Sequence, residues 1–185
     1  MSRPLPQAVL LVDGYNIVGA WPCLKKIRDS AGLEAARGQL IEDMINYSAF
    51  QGFETQIVFD AQYQNTCSNQ EVINQNLCVH YTVFGQTADT YIEKACASYR
   101  PYLKQSHLCR LIVATSDRTQ QLMVLGYGSE WMSALQLYYE VQSTVVRARR
   151  QQKPRKQSSG RFLANSIDAK SRQRLAELRM GLKDL

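Results

Sequence analysis

Four carboxylates stand where an apolar run gives way to a turn or a helix. Asp13 closes AVLLVD, Asp60 closes QIVFD, and Asp117 follows LIVATS. Asp89 lies in GQTADTYIEK, at the start of a predicted helix. In a parallel α/β sheet the carboxyl ends of the strands share one edge, and ligands bind along it. Acids far apart in the chain then meet in one pocket. Carboxylates crowded together repel and resist full ionisation. A divalent cation removes that cost, and Mg²⁺ or Mn²⁺ takes oxygen ligands. The pattern predicts a metal-dependent enzyme that cleaves phosphodiesters.

Each residue also has a plainer role. Asp13 precedes Gly14, which permits a turn and close approach to backbone, so it either binds a metal or caps that turn. Asn16 could hold a metal-bound water, contact phosphate or fix the loop through backbone hydrogen bonds. Asp89 and Glu93 are four apart and share a helical face. Without a cation they repel, or Asp89 simply favours the helix N-terminus through the macrodipole. Asp117 is placed to cap a helix, and Thr115 and Ser116 beside it can orient its carboxylate or bind phosphate. Arg118 is either a phosphate contact or a surface arginine. Asp60 either joins the set or caps a loop.

These side chains need a scaffold, and the apolar patterning supplies one. Residues 8–13 read as a strand buried on both faces. A loop is expected over 14–32, punctuated by Gly14, Gly19, Pro22 and Gly32. Leu33, Ala36, Leu40, Met44, Tyr47 and Phe50 recur at helical spacing over 33–51, with Gly52 at the end. Strands follow at 55–60, 77–83 and 110–115, with an exposed polar loop over 61–76. Thr87 caps a helix reaching about Tyr99, where Pro101 helps stop it. A further helix runs from Asp117 to Leu125, GYGS makes a turn, and Ser129 opens a last helix through Val146. Alternating strands and helices predict a parallel, doubly wound α/β fold.

The chain has 185 residues, 45% of them hydrophobic, enough for one domain with a core plus an extension. No apolar run reaches the roughly 20 residues needed to span a bilayer. The N-terminus lacks a small-residue cleavage site, so no signal peptide is expected and a cytoplasmic location is the default. Five cysteines without CxxC spacing support neither a disulfide framework nor a zinc knuckle, so no disulfide-linked partner is expected. The two histidines, His80 and His107, do not suggest a metal site.

Charge divides the chain. Residues 1–146 carry 10 Lys+Arg against 13 Asp+Glu, whereas residues 147–185 carry 12 against 3. We therefore expect a domain over 1–146 and a basic tail over 147–185, with a linker interrupted by Pro154 and Gly160 and then a short amphipathic helix. A tail this basic suggests a polyanionic partner, or a solvated segment that aids solubility. Arg147, Arg149, Arg150, Lys153, Arg155 and Lys156 would grip the phosphate backbone of such a partner with little sequence choice. Tyr138 and Tyr139 could stack on bases, but helical spacing places at least one in the core.

Taken together, VDGYNIV, ETQIVFDA, FGQTADTYIEK, LIVATSDRTQQ and GYGSEWMSALQLYYEV resemble the YacP-like NYN domains, a family of PIN-like nucleases. The resemblance covers about residues 8–146, and the tail ending in LAELRMG also resembles the family's C-terminal extension. It implies a PIN-like three-layer α/β/α fold with a mostly parallel central sheet, plus the basic C-terminal extension. It also implies an Mg²⁺- or Mn²⁺-dependent endoribonuclease that cleaves mRNA in association with the ribosome. By motif, Asp13, Asp89 and Asp117 match the catalytic, metal-holding acids. Glu93 matches the position one turn beyond Asp89, and Asp60 matches a strand end that varies in the family. Hydrolysis by metal-activated water is the expected mechanism.

Three rivals remain at this point. A non-catalytic RNA- or ribosome-binding module would gain nothing from clustered acids beside phosphate. A small-molecule phosphatase of the aspartyl-phosphate kind would need a DxD pair, but Gly14 and Tyr15 follow Asp13. A DNA-directed nuclease of the same fold stays open.

Overall fold

The computed structural model describes residues 6–60, 69–83, 85–105, 110–152, 170 and 173. By its contacts the chain divides into units Met1–Val146 and Arg147–Leu185, and the first of them holds the sheet. Strand β1 (Ala8–Asp13) is buried at all its positions. It pairs in parallel with β2 (Phe53–Phe59) on one side and β5 (Arg110–Ala114) on the other. Beyond β2 lie β4 (Leu77–Tyr81), parallel, and β3 (Asn69–Val72), antiparallel at the edge. Beyond β5 lies the short parallel strand β6 (Glu130–Met132). The sheet order is β3-β4-β2-β1-β5-β6.

Side chains alternate across this sheet, and helices cover both faces. Ala8, Leu10 and Val12 point to one face, with Trp21 and residues of α2 (Pro22–Ala31), α3 (Leu33–Gln51) and α6 (Ala134–Gln152). Ile17 and Val18 of α1 (Gly14–Ala20) join them. Val9 and Leu11 point to the other face, against Ile92 and Cys96 of α4 (Ala88–Gln105) and Val124 of α5 (Arg118–Gly126). The result is the three-layer α/β/α arrangement expected from the sequence. Trp21 ties the first layer together, for its indole N–H donates to the carbonyl of Ala134 at 2.7 Å. Among the described residues no helix is long and apolar enough to cross a membrane.

Helix α3 has the limits that its spacing predicts. It ends where Gly52 takes φ 65°, the left-handed conformation that closes helices. Other elements depart from expectation. Residues 14–31 form α1 and α2 rather than a loop. Asp13 caps α1, and Pro22 sits at the start of α2, where its missing N–H costs nothing. Helix α4 runs past Tyr99 and Pro101 to Gln105, since one proline removes a single backbone bond near the helix end. Ser129 does not open the last helix. Glu130–Met132 pairs with β5 instead, and Ser133 caps α6 by accepting from the N–H of Gln136. That helix continues to Gln152, because Arg, Ala and Gln are good helix formers whatever their charge. The polar stretch expected to loop contributes β3; residues 61–68 lie outside the described residues.

Candidate active site

Strands β1 and β5 are neighbours, but the chain leaves them in opposite directions. After β1 it passes to α1–α3 on one face, and after β5 to α5 on the other. Such a divergence opens a crevice at the carboxyl ends of the strands. Asp13 ends β1 at this point and Asp117 follows β5. Asp60 follows β2, the other neighbour of β1, and Asp89 lies in the first turn of α4.

Asp13 and Asp89 sense the acids around them. Asp13 is buried, and its carboxyl is raised to about 7. Burial is the largest cause, and the charges of Asp89, Asp60 and Asp117 add to it, against a bond from the N–H of Asn16 that lowers it. Asp89 is also raised, by desolvation first and then by Asp117 and Asp60. Asp13 therefore forms the floor of the crevice, while Asp89 and Asp117 stand exposed at its rim.

Close packing sets the floor. The ring of Phe59 lies so near Gly14 that a Cβ there would come within 2.2 Å of it. That ring is fully buried between Tyr15 and Tyr81, with centroids 5.0 and 5.8 Å away. Gly14→Ala is therefore expected to cost about 1–3 kcal/mol or more, seen as a lower urea midpoint at unchanged slope. An unchanged midpoint would mean that the ring can move aside.

Hydrogen bonds join the loops that carry the acids. Asn16 accepts from the N–H of Ser116 at 2.7 Å, linking α1 to the turn after β5. This is the loop-fixing role among those open to it. Thr115 is buried and its hydroxyl accepts from the N–H of Asp117 at 3.0 Å, so it orients the acid's backbone. The Ser116 hydroxyl accepts from the N–H of Ala134 at 3.2 Å and thereby anchors α6. Asp117 caps α5, with one oxygen accepting from Thr119 and Gln120 at 2.7 and 3.0 Å. Asp60 accepts from the N–H of Ala88 and so holds the first turn of α4 against β2. Arg118 is exposed beside the rim.

Glu93 goes elsewhere. Its carboxylate accepts from the hydroxyl of Tyr127 at 3.3 Å. Tyr127 ends α5, whereas Asp117 begins it, so Glu93 lies at the far end of that helix from the acids. Gln120, which no motif in the sequence singles out, is closer to the acids. Its amide donates to Asp89. The side chain is buried, and its Oε1 has no partner among the described residues. Only its place three residues after a capping acid could have pointed to it.

A hard divalent cation fits this crevice. The donors are oxygens, their mutual repulsion would be relieved by positive charge, and the Oε1 of Gln120 is an unused acceptor for a cation's water. Among the described residues no three His, Cys, Asp or Glu side chains could by themselves hold an ion. Water or phosphate oxygens would complete the shell, as Mg²⁺ commonly requires.

Away from the crevice, Tyr138 packs edge-on to Trp21 at 5.4 Å while Tyr139 is exposed. Arg147 is exposed on α6. The side chains of Arg149 and Arg150, and Lys153, Arg155 and Lys156 entirely, lie outside the described residues. Cys23, Cys78 and Cys96 are free thiols.

Comparison with known proteins agrees with this architecture. The family model described as the YacP-like NYN domain matches residues 10–180. The Bacillus subtilis (strain 168) protein YacP, itself described as uncharacterized, is 37% identical over 142 residues, which span 77% of this chain and 79% of that protein. The crystal structure of a mutant form of Rae1 (YacP) from Bacillus subtilis superposes with a TM-score of 0.64 at 30% identity, covering 92% of this chain and 99% of the other. A second Rae1 (YacP) structure from the same organism gives 0.59 at 29% identity, with coverage of 94% and 87%.

Proposed function

The chain belongs to the YacP-like NYN domain family, whose fold is of the nuclease type, and from that premise we propose that it is a metal-dependent endoribonuclease. In this reading it cleaves mRNA in association with the ribosome, in the cytoplasm. The observation that carries it is the placing of Asp13, Asp60 and Asp117 at the carboxyl ends of three adjacent strands, with Asp89 in the first turn of α4. A site so acidic would repel a phosphodiester unless a cation stood between them.

In this mechanism Asp13, Asp89 and Asp117 are the residues that would hold Mg²⁺ or Mn²⁺, with water bridging where the carboxylates do not reach the ion themselves. The cation would supply Lewis acidity, a more acidic water and compensation for charge on the transferring phosphoryl group. Asp13, raised to about 7, must give up its proton before it can serve as a ligand. Gln120 keeps the Asp89 carboxylate turned toward α5 and the crevice. Asn16 and Thr115 hold the two loops in register, so that the acids do not have to reorganise as substrate arrives. The basic residues 147–156 would grip RNA backbone or ribosomal RNA and make affinity fall with salt.

The test is to incubate the full chain with end-labelled RNA in Mn²⁺, Mg²⁺ or EDTA, alone and with translating ribosomes. Internal cuts that need metal are expected. Cuts seen only with ribosomes would make the basic segment a docking element. RNA that stays intact in every arm would overturn the reading.

A further inference from the structure

Strand β4 and helix α4 enclose a second feature, an open cleft of about 340 Å³ lined by His80, Val83, Gln86, Tyr91, Lys94 and Ser98. Its walls follow from periodicity. Leu77 and Val79 of β4 enter the core on the α3 face, so His80 faces α4. Tyr91, Lys94 and Ser98 fall at helical spacing on one side of α4. The imidazole of His80 stacks on the ring of Tyr91, with centroids 4.2 Å apart and planes 26° from parallel. Tyr91 is held in place by Gln56, whose amide donates to its hydroxyl at 2.8 Å. Burial lowers the His80 pKa, so the stack is an uncharged aromatic surface at neutral pH. The Nδ1 of His80 is buried with no partner among the described residues. Val83 adds exposed apolar surface, and Lys94 stands exposed at the margin.

None of these groups takes part in the acid cluster. Asp89 lies on the flank of α4 that meets Gln120, and Tyr91, two residues on, lies about 200° around the helix. The cleft and the acids are therefore separated by roughly one helix diameter, about 10 Å.

Single-stranded RNA is recognised where unstacked bases meet aromatic rings and neighbouring cations meet phosphates. We propose that the cleft is a base-binding subsite, which takes one unpaired nucleobase of the RNA strand against the Tyr91–His80 stack, with Lys94 on an adjoining phosphate. This inference rests on RNA being the substrate, and it goes beyond that reading by giving the site a way to prefer some sequences near the cut.

The experiment uses the full-length chain in two forms. First, the Asp89→Asn variant is irradiated with RNA carrying 4-thiouridine at successive positions, and the cross-linked peptides are mapped by mass spectrometry. Cross-links at His80 or Tyr91, from one or two positions of the strand, are expected. Second, Ser98→Trp fills the cleft from an exposed helix position in an otherwise unaltered chain. Its KM for RNA should rise about tenfold with little change in kcat, as loss of a base stack implies. Cross-links that avoid the cleft, or a KM unmoved by Ser98→Trp, overturn the proposal while leaving cleavage intact. Absence of cleavage by the unaltered chain, with cross-links still at His80 or Tyr91, overturns the nuclease reading instead and keeps the base site.

Discussion

Asp89→Asn is expected to lower metal-dependent RNA cleavage by at least about 10²–10³-fold, the usual cost of removing one preorganised electrostatic partner from a reacting centre. The effect should be confined to chemistry. Asp89 is exposed in the first turn of α4, and asparagine has nearly the same shape. Its carbonyl oxygen can still accept from the amide of Gln120. The substitution also removes one of the charges that repel Asp13, so the fold should be as stable as before or more so. RNA retention should survive, because an acid at the rim opposes phosphate rather than attracting it. A rate assay at several Mn²⁺ concentrations, with a melting curve on the same sample, checks both halves. Glu93→Gln is the contrast. The Glu93 carboxylate is engaged with Tyr127 at the other end of α5, so cleavage should change by less than about threefold. Equal rates for Asp89→Asn and the unaltered chain would remove Asp89 from the site.

The difference between Asp89 and Glu93 marks how far the sequence could be read. Asp13 and Asp60 were legible because each directly follows an apolar run, and Asp117 because it comes just two polar residues after one, and in a parallel sheet the ends of such runs must share an edge. Asp89 was legible from Thr87 and the helical pattern after it. Glu93 shares that helix face by spacing. However, its direction is decided by Tyr127, which is 34 residues away in the chain and belongs to another element. Gln120 was hidden for the same reason, since a glutamine in TSDRTQQ carries no local sign that its amide will reach an acid on α4. Local signals also misled at α1 and α2. Gly14 and Pro22 usually punctuate loops, but here Phe59 leaves no room beside Gly14 for a side chain and Pro22 opens a helix. Strand β6 is three residues long, too short for any period to show, and exists because Ile112–Ala114 of β5 offers it an edge. Patterning was informative where an element buries its own apolar face, and failed where pairing with a distant partner decides the outcome.

Asp13→Asn should separate stability from function most sharply. In the folded, metal-free chain the Asp13 carboxyl is raised from 3.8 to about 7, chiefly by burial and then by the neighbouring acids. The folded state then holds its proton more tightly than the unfolded state does. Stability in EDTA is therefore greatest at the acid end of this window and declines as pH rises from about 4 to about 7, by up to about 4 kcal/mol. Asparagine removes the buried charge and keeps the cap, for its side-chain oxygen can still accept from the N–H of Asn16. Above pH 7 in EDTA the variant should be the more stable protein, and the gap should close toward pH 4. Adding Mn²⁺ at pH 8 should reverse the order. On the proposed mechanism the unaltered chain would gain stability as the cation binds its folded form, and the variant, short of one ligand, would gain less. Urea midpoints at pH 5 and pH 8, each with Mn²⁺ or EDTA, decide it. If the variant is the weaker protein at pH 8 in EDTA, the Asp13 carboxylate is stabilised rather than strained, and the crevice would have no electrostatic need of a cation. If the order reverses with metal, the strain at Asp13 is relieved by the ion, as the proposed metal-dependent cleavage requires.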